Sequence, residues 1–231
     1  MTFTTSYRTD VKAAYILRIK GNEISEEFTK KCIASCDEVC MPYEIVDSYD
    51  GTSGKIIPPA KVPDYMNLVK ITNTSLTFGE QCCALGHFML WAKCVELDQP
   101  IVILEHDAIM VKPYTEHKYI NAIVYLGNIS QQRGLKNGAD IYHTINGNYT
   151  YMNRAHAYAI DPAVARQMVA KIIKYGIFTI NDVFIRLDEF CVIQDGFYAY
   201  DKAEYKTTIT GRTRPSLDQK KKRLDHMIRN T

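Results

Sequence analysis

The chain has 231 residues, 46% hydrophobic and 23% charged, with a formal net charge of +2. That balance excludes a disordered polyelectrolyte and leaves ample apolar material for a core. Seven cysteines, odd in number and without disulfide-framework spacing, point to reduced thiols and a cytoplasmic setting. No run approaches the roughly eighteen consecutive apolar residues of a membrane span, and MTFTTSYRTD lacks the basic start and apolar stretch of a secretory leader.

Residues 13–19 (AAYILRI) are apolar and β-rich and predict the first strand. Arg18 and Lys20 lie at its end, where ligands of open α/β sheets bind, although solvated strand-end charges account for them equally. Ser25, Glu26 and Glu27 suggest an N-cap and an acidic first turn for a helix running to about residue 39. Cys32, Cys36 and Cys40 fall on one face of it and read as small buried hydrophobes rather than a zinc site. Residues 43–46 (YEIV) predict the second strand. The turn after it offers Asp47 and Asp50 as nucleotide-site carboxylates, while turn chemistry explains them as well. Residues 54–65, with Pro58, Pro59 and Pro63, read as an exposed irregular excursion. A long helix follows over 77–97, with Thr77 and Glu80 as a capping box and Leu85, Met89, Trp91 and Val95 among its apolar positions. His87 inside it is a donor-sugar contact or a satisfied structural group.

Residues 101–111 (IVILEHDAIMV) concentrate the chemistry. Four apolar residues run into Glu105-His106-Asp107, as in a buried strand whose carboxyl end reaches a sheet edge. With a side-chain period of two, Glu105 and Asp107 share a side and His106 takes the other. The two carboxylates then suit Mg²⁺ or Mn²⁺ holding a diphosphate. Solvation of a strand end is the plain alternative. Further on, residues 120–127 predict a strand and 127–138 a loop in which Arg133 or Lys136 could meet a leaving phosphate. His143 and His156 are additional metal-ligand candidates, though more readily structural. The end of the chain, residues 212–231, forms a basic tail or helix with Arg212, Arg214, Lys220, Lys221, Lys222, Arg223 and Arg229 set against Asp218 and Asp225, a composition suited to a polyanion.

The run LTFGEQCCALGHFMLWAKCVELDQPIVILEHDAIM resembles the core signature of glycosyltransferase family 25, the lipooligosaccharide-type and collagen-type sugar transferases. There a leucine-threonine start leads through a cysteine-alanine-leucine-small-histidine stretch and a leucine-tryptophan pair to a strand ending in an acidic triplet. Residues 44–51, 157–171 and 181–184 resemble flanking segments of the same family in the same order. The resemblance implies a GT-A-like, Rossmann-type α/β domain over residues 1–211, with a nucleotide-sugar half at about 11–112 and an acceptor half at about 113–211. It also implies a metal-dependent, inverting transfer from a nucleotide-sugar donor, expected to be a uridine diphosphate sugar. By position, Glu105 would contact the donor ribose or order the loop, Asp107 would ligate the metal, and Asp182 would be the base. His106 departs from the pattern, where a second acid is usual.

Two acceptors compete. The family favours a bacterial surface saccharide. The absence of a predicted membrane helix and the basic tail favour hydroxymethylcytosine in phage DNA, with Arg212, Arg214 and Lys220 to Arg223 on the backbone. The DNA reading is the leading expectation from the sequence, and a non-catalytic sugar-nucleotide-binding scaffold is the alternative from another class.

Overall fold

The computed structural model describes residues 10–127, 151–152, 154–194 and 196–201. Its order is β1 (Ala14–Arg18), α1 (Glu23–Glu38), β2 (Tyr43–Asp47), a 3-10 helix (Asp64–Leu68), α2 (Phe78–Leu97), β3 (Ile101–Glu105), β4 (Ala108–Met110), β5 (Ala122–Tyr125), β6 (Ala157–Ile160), α3 (Pro162–Tyr175), α4 (Asn181–Phe184), β7 (Cys191–Ile193) and β8 (Ala199–Asp201).

Six strands form the central sheet in the order β2-β1-β3-β6-β5-β7, and β6 alone runs against the others. This is the mostly parallel α/β sheet that the sequence predicts. Strands β1, β3, β5 and β6 are buried on both faces, which explains their near-continuous apolar runs, while β2 at the sheet edge is partly exposed. Alternation divides the core. Tyr15, Leu17, Ile101, Ile103, Tyr158 and Ile160 face the layer of α2 and α3. Ala14, Ile16, Val102, Leu104, Ala157 and Ala159 face α1, with Cys32 and Cys36 packed against them.

Helix α2 is set by its ends and its burial. Thr77 and Glu80 close a reciprocal capping box, and Asp98 ends the helix in the left-handed region. Twelve of its twenty residues are buried, so its residues are apolar nearly all round. Trp91 is 1% exposed, and a large apolar side chain buried this fully contributes about 1.5–3 kcal/mol.

Three local expectations are corrected. The N-cap of α1 is Asn22, whose side chain accepts from Ser25 N, while Ser25 sits inside the helix with its Oγ accepting from Ile19 N. Cys40 lies past the end of α1 at φ 56° and is exposed, so only Cys32 and Cys36 behave as buried hydrophobes. The strand expected to carry Glu105-His106-Asp107 at its carboxyl end stops at Glu105: His106 and Asp107 form a turn, and β4 leaves to pair with β8 in a second, two-stranded sheet. The 54–65 excursion is irregular as expected, until the 3-10 helix begins at Asp64. Among the described residues no helix is long and apolar enough to cross a membrane.

Candidate active site

A cleft of about 260 Å³ opens beyond the carboxyl ends of β1 and β3. Its walls come from the end of β1 (Leu17, Ile19), the loop after β2, the first turns of α2, the β3 turn (Glu105, His106, Asp107), the approach to β6 (Arg154, Ala155, His156) and α4 (Asn181, Asp182). Open α/β sheets place ligands at this edge. Gly51 lets the β2 loop touch α2: a Cβ there would lie 2.6 Å from Gly79 N and nearer still to the Phe78 carbonyl carbon.

Glu105 continues the alternation of Ile101 and Ile103 and therefore points toward α2. His87 Nε2 lies 3.1 Å from Glu105 Oε1, and the Cys83 thiol reaches the same oxygen at 3.7 Å. Behind them, Trp91 Nε1–H donates to the Tyr158 hydroxyl at 2.8 Å, and that hydroxyl is 2.8 Å from His87 Nδ1. Indole only donates, so the phenol proton is free to donate to His87 Nδ1, which leaves the imidazole proton on Nε2 for Glu105. Burial, the largest influence, pushes the Glu105 pKa up; the bond and charge of His87, with the charges of His106 and His156, outweigh it and hold it at about 2. Asp107 shifts the other way. Burial and repulsion from Glu105 raise its pKa against the opposing pull of His106 and His156. The Cys83 thiol is pushed well up, first by burial and then by Glu105, Asp182 and Asp107, and stays protonated.

Cys83, His87 and Glu105 offer ligand atoms within 4.8 Å of one another. Both His87 nitrogens are engaged, so the three side chains form a hydrogen-bond cluster around Glu105. Asp107 fits a divalent cation more closely. Its Oδ1 is buried with no hydrogen-bond partner, and a hard anionic oxygen in that state calls for a cation.

A family model described as glycosyltransferase family 25 (LPS biosynthesis protein) matches residues 18–185. The chain belongs to glycosyltransferase family 25. It is therefore a glycosyltransferase, and the acidic triplet, the histidine of α2 and Asp182 all fall inside the matched span and line one cleft of the transferase. No curated protein matches the chain.

Other expected site residues of this transferase lie elsewhere. Arg18 is not among the cleft residues, because alternation along β1 sends Leu17 and Ile19 there instead. It forms ion pairs with Asp47 and Glu26 on the side of α1. Asp47 is occupied by that pair, and Asp50 accepts from Thr52 N and Oγ1 to tie its own turn. The strict alternation expected for the triplet also fails, since His106 and Asp107 lie in a turn. His106 lines the cleft while its ring lies 6.1 Å from that of Phe28. Asp182 is not a helix cap: Ile180 holds that position, and the Asp182 carboxylate accepts from Arg154 N at 3.0 Å and Ala155 N at 3.2 Å. The expected helix beginning there ends at Phe184. Arg133, Lys136, His143, Arg212, Arg214, Lys220, Lys221, Lys222 and Arg223 lie outside the described residues. Cys83, Tyr158 and Asn181 carry contacts or orphaned atoms at the site that the sequence reading did not single out as functional.

Proposed function

We propose that the chain moves a sugar from a nucleotide-sugar donor, a uridine diphosphate sugar, to a hydroxyl of a saccharide, with the donor diphosphate seated at Glu105 and Asp107. The observation that carries this reading is the acid pair formed by Glu105 at the end of β3 and Asp107 in the turn after it, at the carboxyl edge of the sheet, inside a cleft whose residues lie within the family match. Family description favours a saccharide of lipopolysaccharide type as acceptor. Transfer to hydroxymethylated DNA rests on residues 212–223, outside the described residues, and takes second place.

Asp107 would hold Mn²⁺ or Mg²⁺, with Glu105 ionised beside it and fixed by His87. Bound there, a divalent cation supplies charge neutralisation for a departing diphosphate. The acceptor oxygen must shed its proton as the new bond forms. The bonds from Arg154 N and Ala155 N give the Asp182 carboxylate a positioning role at the approach to β6 and do not bar it from taking that proton, because each carboxylate oxygen has two lone pairs.

The test sets several uridine diphosphate sugars with Mn²⁺ or Mg²⁺ against an oligosaccharide and hydroxymethylcytosine DNA, read by mass. Expected is a sugar-sized gain on the saccharide, lost in Asp107→Asn. A gain on DNA alone would overturn the acceptor. Donor binding with no turnover on any acceptor or on water would favour the non-catalytic scaffold.

A further inference from the structure

Three residues of the cleft carry buried polar atoms without a partner: the Asn181 amide of α4 and, on either side of the β3–β6 junction, Asp107 through Oδ1 and His156 through Nε2. His156 is 3% exposed. Its Nδ1 lies 2.9 Å from the Arg154 carbonyl oxygen, which can only accept. In the neutral imidazole the ring proton therefore sits on Nδ1, and Nε2 presents a lone pair. This is the state of a metal-ligating histidine, which donates its other N–H to a carbonyl or carboxylate.

The ring is fixed from several directions. Tyr125 meets it edge-on at 6.0 Å between centroids, and a Cβ at Gly127 would come within 2.9 Å of His156 Cε1. The backbone is held as well, since Asp182 accepts from Arg154 N and Ala155 N, and the His156 carbonyl accepts from Glu105 N at 2.8 Å. Folding alone orders this nitrogen in a cleft that also holds Glu105 and Asp107. The alternative donor His87 has both ring nitrogens engaged.

We propose that His156 Nε2 joins Asp107 Oδ1 as a ligand of one divalent cation, completing the acidic site of β3 with a nitrogen donor from the approach to β6. The inference rests on the reading of Asp107 as the cation-holding carboxylate. A nitrogen donor is a poor match for Mg²⁺, which favours oxygen, so the site selects a first-row transition ion such as Mn²⁺.

The experiment titrates the full chain with Mn²⁺ alone, and again with uridine diphosphate, by electron paramagnetic resonance, with pulsed detection of ¹⁴N coupling. Expected are a bound Mn²⁺ coupled to an imidazole nitrogen, a loss of affinity of about tenfold or more in His156→Gln, and poor competition by Mg²⁺. If that variant does not fold, selective broadening of the His156 ring signals by Mn²⁺ in the wild-type protein, against those of His117, gives the same reading. Wild-type binding without ¹⁴N coupling, equal in His156→Gln but lost in Asp107→Asn, overturns the histidine and leaves the carboxylate reading standing. No Mn²⁺ binding under either condition overturns both, while sugar transfer remains measurable by mass.

Discussion

Tyr158→Phe tests the network behind Glu105. The phenylalanine ring keeps the stacking on His87, whose plane lies 11° from that of Tyr158 with centroids 5.8 Å apart, and removes only the hydroxyl. Two groups then lose their partner: Trp91 Nε1–H and His87 Nδ1, in residues 1% and 0% exposed. A buried polar group left unsatisfied costs about 1–3 kcal/mol, so the pair is expected to cost roughly 2–6 kcal/mol. For a protein of this size about 1 kcal/mol corresponds to about 2–4 °C, giving a fall in Tm of roughly 4–24 °C. Calorimetry reads that fall, and ¹⁵N NMR of the imidazoles reads the tautomer. In the wild-type protein the His87 proton belongs on Nε2, facing Glu105, and in the variant Nδ1 is free to compete for it. A melting change of less than about 2 °C, or a wild-type His87 protonated on Nδ1 alone, would refute the proposed proton order.

Four other perturbations probe the cleft. Gly51→Ala forces a methyl onto the backbone of Phe78 and Gly79, and the overpacking is expected to cost about 1–3 kcal/mol, read by chemical denaturation, with weaker donor binding. Asp182→Asn replaces an acceptor oxygen with a donor beside Arg154 N and Ala155 N; a positioning role predicts weaker Mn²⁺ binding, which loss of a base alone would not produce. Glu105 has a folded-state pKa lowered from 4.5 to about 2, so its contribution to stability is present above pH 4.5 and lost as the pH falls through about 2. Glu105→Gln should flatten the acid limb of the stability curve in that window, and an unchanged limb would remove the assigned cause. Asp107 is shifted upward, so its ionised form weighs against folding, and Asp107→Asn is expected to raise stability near neutral pH, read by chemical denaturation, while losing cation affinity.

The elements that the sequence shows clearly are those whose local and tertiary demands agree. In α2 the Thr77–Glu80 box and the apolar content name the same helix, and strands β1, β2 and β3 appear as short β-branched runs close to their observed limits. The site was partly legible: Glu105, His87 and Asp182 fall on one cleft, yet their partners are distant in sequence. Nothing local marks Tyr158 as the hydroxyl between Trp91 and His87, because that junction exists only once β6 packs beneath α2. The Arg18 reading failed for a simpler reason. Position at a strand end does not fix direction, and one step along the pleat turns the guanidinium toward α1 and Asp47. The turn at His106-Asp107 is likewise invisible to alternation, since Ala108 and Met110 remain apolar while serving a different sheet.

The reversed strand β6 accounts for the composition of the site. In a parallel sheet each strand delivers its carboxyl-terminal residues to the ligand edge, and its amino-terminal residues lie at the far side. β6 runs against β3, with Leu104 opposite Ala157, so the residues just before β6 arrive beside the residues just after β3. The bond from Glu105 N to the His156 carbonyl is the last rung of that ladder. A strand in the parallel sense would have placed His156 at the opposite edge and brought the residues after Ile160 to the cleft. Asp161, which follows, is fully buried and caps α3 through Ala163 N and Val164 N, a duty that fits the non-ligand edge. One strand reversal thus separates a structural carboxylate from an imidazole five residues earlier, and sends the imidazole to the cleft that holds Glu105 and Asp107.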